Sequence, residues 1–246
     1  MYNYQLLIEY DGTNFVGWQI QRNGPSIQGS IQSALKKYFK KKILINGAGR
    51  TDSGVHALKQ SANFHINDKI INKVKFINSI NFFLKKKLIS IVDLKKRNIK
   101  FHARYSAKKR IYKYIIFNRV GVLSINKNKG WLVKKKLDIE LMKKGANLLL
   151  GTKDFSTFRS SSCNAKSPIK TIEKSKVLKI KDKIYLTFES KSFLQQQVRS
   201  MVGCLKYLGE KKLSLKDFKE IIRSRNRSKC APLAPPEGLF LYEVKY

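Results

Sequence analysis

The stretch "KILINGAGRTDSG" (residues 42–54) decides between two architectures. An apolar run, Lys42-Ile43-Leu44-Ile45-Asn46, reads as a buried strand and leads into Gly-x-Gly. That is how a dinucleotide site begins in a doubly wound parallel fold, because glycines let the backbone approach pyrophosphate at a helix N-terminus. Asp52, however, stands where the third glycine belongs, and its carboxylate would repel the phosphate. Nor does a helix follow, since Gly54-Val55-His56-Ala57 contains a glycine and a β-branched residue, and no Gly-Lys-Ser/Thr triplet is present to make a P-loop. Residues 47–54 are therefore read as a turn or as a loop presenting one charged group, with a nucleotide cradle as the weaker rival.

The elements on either side supply the fold. Tyr4, Leu6, Ile8 and Tyr10 alternate up to Asp11-Gly12, as in a strand ending at a turn. Ser26 can cap a helix whose stripe is Ile27, Ile31, Ala34, Leu35, Tyr38 and Phe39. After the loop come a strand through Ala62 and Phe64, a helix marked by Val74, Ile77, Ile80 and Leu84, and a strand at Ile89–Val92. Strand, helix, strand, strand, helix, strand is the order of a ferredoxin-like α+β unit, with one sheet face under helices and the other free for RNA.

"FHARYSAKKR" (101–110) is polar and basic enough to be a join. A comparable order then recurs: a strand at Ile111–Phe117, a helix from Asp138 to Leu150 stopped by Gly151, and strands at 171–181 and 184–190. A helix from Phe193 to Leu208 stopped by Gly209, a helix at Leu215–Arg223 capped by Ser214, and a strand from Leu239 to Tyr246 complete it. The expectation is two ferredoxin-like α+β halves, 1–105 and 106–246, with antiparallel sheets forming a continuous RNA-binding surface and an active-site cleft between them.

Composition points to the partner. Lys plus Arg number 52 against 16 Asp plus Glu, a formal net charge of +36 spread along the chain. Neutralising phosphates with release of counterions is the main sequence-independent source of nucleic-acid affinity. Individually, runs such as Lys40–Lys42, Lys85–Lys87 and Lys134–Lys136 read as solvated faces. Cys163, Cys204 and Cys230 are far apart in sequence and form no C-x-x-C pair, so neither a disulfide frame nor a zinc site is suggested. His56, His65 and His102 are equally scattered. No signal peptide and no 18-residue apolar run appear, and a soluble, cytoplasmic protein is expected.

Asp-Ser-Gly alone is an ordinary turn. Glycines at 47, 49 and 54 permit backbone conformations that lift Asp52 clear of a sheet, and Arg50 lies two residues before it. An exposed acid in so cationic a protein is poorly placed to hold RNA and well placed to act on it. Surface Arg/Asp pairs contribute little by themselves, so the weight comes from a wider match.

"GAGRTDSGVHA" (47–57), "FHARYSAKKRIYKY" (101–114), "DFSTFRSSSC" (154–163), "SFLQQQVRSMVG" (192–203) and "APPEGLFL" (234–241) resemble, in order and spacing, the bacterial tRNA pseudouridine synthase A family. "YDGTNFVGWQIQ" (10–21) and "SIQGSIQSAL" (26–35) are similar to that family's N-terminus. The resemblance runs from about residue 2 to residue 246.

It implies that uridine in the anticodon stem-loop of tRNA is isomerised to pseudouridine. The N1–C1′ bond breaks, the base turns, and C5 joins C1′. Nothing is oxidised or transferred, so no metal, nucleotide or flavin cofactor is required. Asp52 would be the catalytic aspartate and nucleophile, while attack on C1′, attack on the base and removal of a sugar proton all stay open. Arg199 would form an ion pair with Asp52, since a carboxylate kept ionised in a dry pocket needs a cation. A phosphate-binding or solvated helix arginine is its plainer reading. Tyr112 would stack on the uracil and move a proton at C5, against the alternative of a strand aromatic in the core. Arg50 would guide the backbone or hold the flipped nucleotide, and Leu239 would close the base pocket. The resemblance also implies a homodimer in which one tRNA contacts both subunits. Gln196 and Gln197 depart from the His/Asn-Met usual before the Val-Arg of the arginine motif, which bears on neighbouring contacts and substrate preference. The rival from another class is a non-catalytic RNA-binding protein or RNA chaperone on the same scaffold.

Overall fold

The alternating residues of the first strand, β1 (Tyr2–Tyr10), put Tyr4, Leu6, Ile8 and Tyr10 on one buried face. Helix α1 (Ile27–Phe39) packs over that face through Ile27, Ile31, Ala34 and Leu35, and its first turn is closed by the Ser26 hydroxyl accepting from the Gly29 N–H. The two-residue β2 (Asn46–Gly47) leads to β3 (His56–Ile66), α2 (Lys73–Leu84, capped by Asn72) and β4 (Ile89–Arg97). β1 lies between β3 and β4 and is antiparallel to both. Phe64 of β3 stacks on Phe76 of α2 at 6.3 Å, and Tyr38 meets Phe76 edge-on at 5.1 Å. These rings join the sheet to both helices.

Two expectations are corrected here. Residues 42–45 form no strand, and pairing with β3 is confined to Asn46 and Gly47. Ile43 and Ile45 are buried, but the polar backbone groups of Ile45 are taken by helix side chains: its N–H donates to Gln32 Oε1 (3.1 Å) and its carbonyl accepts from Gln28 Nε2 (3.1 Å). The face opposite the helices is also partly covered. Asn3 and Asn63, buried there, hold residues 98–103: Asn3 Nδ2 donates to the Asn98 (3.0 Å) and Phe101 (2.7 Å) carbonyls, and Asn63 Oδ1 accepts from the Ala103 N–H (2.9 Å). Charge-bearing Arg97 extends this cover, donating to Gln5 Oε1 at 2.7 Å with its guanidinium 5.0 Å from the Phe101 ring.

The later part of the chain contains β5 (Lys109–Phe117), β6 (Trp131–Leu132), α3 (Ile139–Leu148), β7 (Gly151–Asp154), β8 (Ile169–Ile180), β9 (Lys183–Ser190), α4 (Gln197–Gly209), α5 (Leu215–Ser224) and β10 (Leu239–Lys245). β5, β9, β8 and β7 follow one another in antiparallel order, and β6 adds a short parallel pairing to β5. Tyr114, Ile116, Ile184, Leu186 and Phe188 are buried with Met142, Met201, Leu205 and Leu208 of the helices. Gly145 of α3 lets α4 approach closely, because a Cβ there would lie 2.4 Å from Leu208 Cδ1. Helix α5 begins in a capping box in which Ser214 and Asp217 serve each other's backbone.

Helix α4 starts at Gln197, not at Phe193. Gln196 has φ 63°, a left-handed conformation that cannot continue a helix backwards. The turn is fixed by Gln197 Oε1, which accepts from the Leu194 N–H at 2.8 Å, and by the Gln195 carbonyl, which accepts from the Ser160 N–H. Gly209 is the last helical residue, one beyond the expected stop.

The computed structural model describes residues 1–246. Contacts divide it into Met1–Lys108 with Leu241–Tyr246, and Lys109–Phe240. Most of β10 thus clusters with the first unit, where it neighbours β3. There the Tyr246 hydroxyl lies 2.8 Å from both the Ser61 hydroxyl and the Ala103 carbonyl. Each unit is α+β with an antiparallel sheet and helices, as the order of elements indicated.

Candidate active site

Asp52 sits in the connection from β2 to β3, half-buried, with exposed Arg50 on the same loop. The loop is fastened to residues 10–18. Thr51 accepts the Trp18 N–H with its carbonyl (3.1 Å) and shares a 2.8 Å hydrogen bond between its hydroxyl and that of Tyr10. The Phe15 carbonyl accepts from the Ser53 hydroxyl (3.0 Å) and the Gly54 N–H (3.4 Å), and the Asp52 carbonyl accepts from the Val55 N–H (3.2 Å). Behind it, Gln60 Nε2 donates to the Gly49 carbonyl at 2.9 Å.

Glycine identity makes these approaches achievable. A Cβ on Gly12 would lie 2.0 Å from the Val55 carbonyl oxygen, one on Gly17 would lie 2.7 Å from the Thr51 carbonyl oxygen, and one on Gly47 would run into the Trp18 indole at 2.5 Å. Of the three glycines expected to bend the loop, only Gly54 has a positive φ (76°), while Gly47 is needed for space. The sequence reading of the 47–54 stretch missed this clamp because its partners lie some forty residues upstream.

His56 is one of the clamp's parts. It is buried, and its Nδ1 accepts from the Gly12 N–H at 3.0 Å. The same nitrogen lies 3.1 Å from Asp11 Oδ1. One nitrogen cannot accept from a backbone amide and donate to a carboxylate at once. The backbone N–H is the fixed donor, and Asp11 Oδ1 also accepts from the Thr13 N–H and hydroxyl.

Tyr112, Arg199 and Leu239 belong to the second unit, and Asp52 and Arg50 to the first. Tyr112 on β5 is 8% exposed, opposite Phe188 of β9, with the Phe193 ring edge-on at 5.3 Å and 89°. Arg199 is half-buried on the first turns of α4. Its Nε donates to the Ala234 carbonyl at 2.8 Å, and the Arg199 carbonyl accepts from the Ala234 N–H at 3.3 Å. Leu239 is buried and opens β10. Gly238 before it crosses the Tyr114 ring so closely that a Cβ would lie 2.4 Å away, and the Tyr114 hydroxyl donates to the Pro235 carbonyl at 2.8 Å. Burial, then the Glu237 carboxylate, pushes the Tyr114 phenol far above its ordinary range, so it stays a donor. The segment 234–239 thus holds both Arg199 and Leu239.

Tyr105 lies in the stretch read as a join and as part of the family resemblance, and was not singled out there. Tyr105 is 75% exposed, its ring 4.5 Å from the His102 ring and 5.6 Å from the Arg104 guanidinium. Its turn is fixed by the Asn63 and Tyr246 contacts to Ala103 and by the Ser106 N–H donating to the His102 carbonyl (2.9 Å). Burial, then Arg104, lowers the pKa of His102, so that imidazole is neutral at pH 7. An exposed ring flanked by a flat imidazole and a guanidinium is the chemistry of a base-stacking platform. No group of three or more His, Cys, Asp or Glu converges as a metal site, and no helix is long and apolar enough to cross a membrane.

The family profile described as tRNA pseudouridine synthase matches residues 6–106 and 146–246. Asp52, Arg50, Arg199 and Leu239 fall inside the matched stretches and Tyr112 falls between them. The chain is 62% identical over 247 residues to the tRNA pseudouridine synthase A of Pelagibacter ubique, with all of both chains covered. It is 43% identical over 246 residues to that of Rhodopseudomonas palustris, again covering both completely, and 42% identical to that of Maricaulis maris, covering 98% of the latter. A doubled α+β framework and these full-length likenesses define an RNA-modifying isomerase. The chain belongs to the tRNA pseudouridine synthase family.

Proposed function

We propose that this chain converts uridine to pseudouridine in the anticodon stem-loop of tRNA, with Asp52 as the catalytic aspartate. The observation carrying this is the clamp around Asp52: three glycine-dependent approaches fix a carboxylate-bearing loop in a protein of net charge +36. Fixing an acid in cationic surroundings gains nothing for phosphate binding and is what a reaction needs from its reacting group. In the reaction the N1–C1′ bond breaks and the C5–C1′ bond forms. The proton on C5 leaves and N1 gains one, so the base is rearranged without any external reactant.

Asp52 acts as nucleophile, with attack at C1′, attack on the base or removal of a sugar proton as the three routes a trapped intermediate distinguishes. Arg199 supports its ionised form. Tyr112 lies under the uracil and moves the C5 proton. A phenol offers both a flat apolar face and a polar tip, and the edge-on Phe193 fixes the plane of this one. Leu239 closes the base pocket and Arg50 holds the backbone of the flipped nucleotide. Extracting a base costs a few kcal/mol, which contacts from the lysines and arginines offset. The same family likeness leads us to infer a cytoplasmic homodimer, testable by sedimentation of the purified chain with and without tRNA. Treating tRNA transcripts with the protein and mapping pseudouridine tests the function: product confined outside the anticodon arm removes the proposed target, and no product in any tRNA removes the activity.

Two substitutions follow. For Arg199→Lys, kcat is expected to fall about 10-fold or more while tRNA affinity falls far less, because an ammonium lacks the fork through which a guanidinium can hold a carboxylate and the Ala234 carbonyl together. Equal falls in single-turnover rate and affinity would make Arg199 only a phosphate clamp. For Tyr105→Leu, tRNA Kd is expected to rise roughly 5- to 100-fold with Tyr105→Phe near wild type, the range that loss of one base–aromatic stack gives. An unchanged Kd in the leucine variant would leave Tyr105 a mere surface ring.

A further inference from the structure

Cys204 and Cys230 are 26 residues apart in sequence, yet their sulfurs approach to 3.5 Å. The sequence reading treated the cysteines as unrelated. The structure joins two of them because Gly203, beside Cys204, lets the 230–234 segment lie directly on α4: a Cβ at Gly203 would stand 2.1 Å from the Pro232 carbonyl oxygen. Both thiols are free, Cys204 fully buried and Cys230 partly accessible. Arg227 is anchored beside them by donation from Nη1 to the Ser200 hydroxyl (3.0 Å), and the Cys230 thiol donates to the Ser200 carbonyl (3.8 Å).

We propose that Cys204 and Cys230 form a redox site that a hydroperoxide converts to an intramolecular disulfide, tying α4 to the segment that carries Ala234. The two thiols have different parts in this chemistry. The hydrogen bond with Cys204 lowers the Cys230 thiol, burial opposes this, and the Arg227 charge adds to the lowering. The same hydrogen bond, together with burial, pushes Cys204 up. Cys230 is thus both the more accessible of the two sulfurs and the one whose thiolate, the form that reacts, is favoured. The Cys230 thiolate attacks the peroxide, the O–O bond breaks, and a sulfenic acid and hydroxide form. The Cys204 sulfur then attacks the sulfenic sulfur, an S–S bond forms, and water leaves with the Cys204 proton. Two electrons pass from the sulfurs to the peroxide, and dithiothreitol reverses the change. The bond closes a loop that contains α5, and its Cys204 end lies about one and a half turns along α4 from Arg199, whose Nε rests on the Ala234 carbonyl.

The test uses the full chain, reduced and then exposed to hydrogen peroxide. Titratable thiols under denaturing conditions should fall from three to one, peptide mapping without reductant should join the Cys204 and Cys230 peptides, and the unfolding temperature should rise by roughly 5 °C. Cys163→Ser should still form the bond. Cys204→Ala and Cys230→Ser should each prevent both the bond and the thermal shift, and having both variants guards against one that does not fold. Three thiols remaining after oxidation would overturn the proposal. So would a bond that uses Cys163 or joins two chains. None of these readouts depends on tRNA, so they fail or succeed separately from the functional reading.

Discussion

Replacing Asp52 with asparagine is expected to lower pseudouridine formation by three or more orders of magnitude while leaving tRNA affinity within a few-fold of wild type. The size follows from removing the reacting group, where losses of about 10³ to 10⁶ are usual. The selectivity follows from the loop. Its anchors are the Thr51 and Gly54 backbone, the Thr51 and Ser53 hydroxyls and His56, so the amide replaces the acid on an otherwise intact scaffold. Affinity comes chiefly from the cations, and losing one carboxylate from a +36 protein weakens nothing that phosphate needs. Single-turnover assays with tritium at uracil C5, alongside filter binding, separate the two quantities. Turnover close to wild type would end the catalytic assignment and restore the RNA-chaperone reading, whereas a parallel collapse of binding would mean that Asp52 supports the loop.

How far the sequence carried this reading differs from element to element. The stripe of α1 and the alternation of β1 were legible because a buried face imposes its period on the residues that fill it, whereas on α2 the expected Val74 is exposed and Phe76 joins Ile80 and Leu84 in the buried face. The start of α4 was not, because the apolar residues Phe193 and Leu194 continue the helical spacing while the left-handed Gln196 interrupts the backbone. Similarly, Ile43 and Ile45 alternate like a strand and are buried like one, yet Gln28 and Gln32 occupy the backbone groups a sheet would have used. At the candidate site, the motif singles out Asp52, but the packing around its loop is not legible, since a glycine's need for space is visible only when the opposing backbone is in place. The Cys204–Cys230 approach was hidden for the same reason. The signal for Tyr105 was an aromatic that directly follows Arg104, three residues after His102, in so basic a chain.

Gly12→Ala tests whether the clamp positions Asp52. The added methyl would lie 2.0 Å from the Val55 carbonyl oxygen and 2.6 Å from its carbon, and these are backbone atoms with no rotamer to yield. Either the 10–18 segment or the loop must move by an ångström or more, and the Gly12 N–H to His56 bond moves with it. Overpacking of this kind costs about 1–3 kcal/mol, a fall in Tm of several degrees in a chain of this size. A displacement of about 1 Å at a reacting group costs on the order of 10²-fold in rate. Gly121→Ala, where a Cβ would meet nothing within 4 Å, is the control and should change neither. With kcat measured well below the new Tm, a large fall at nearly constant tRNA affinity ties the approach of Gly12 to catalysis. A lowered Tm with wild-type kcat would show that the glycine serves folding alone and that Asp52 is placed by its own side of the loop.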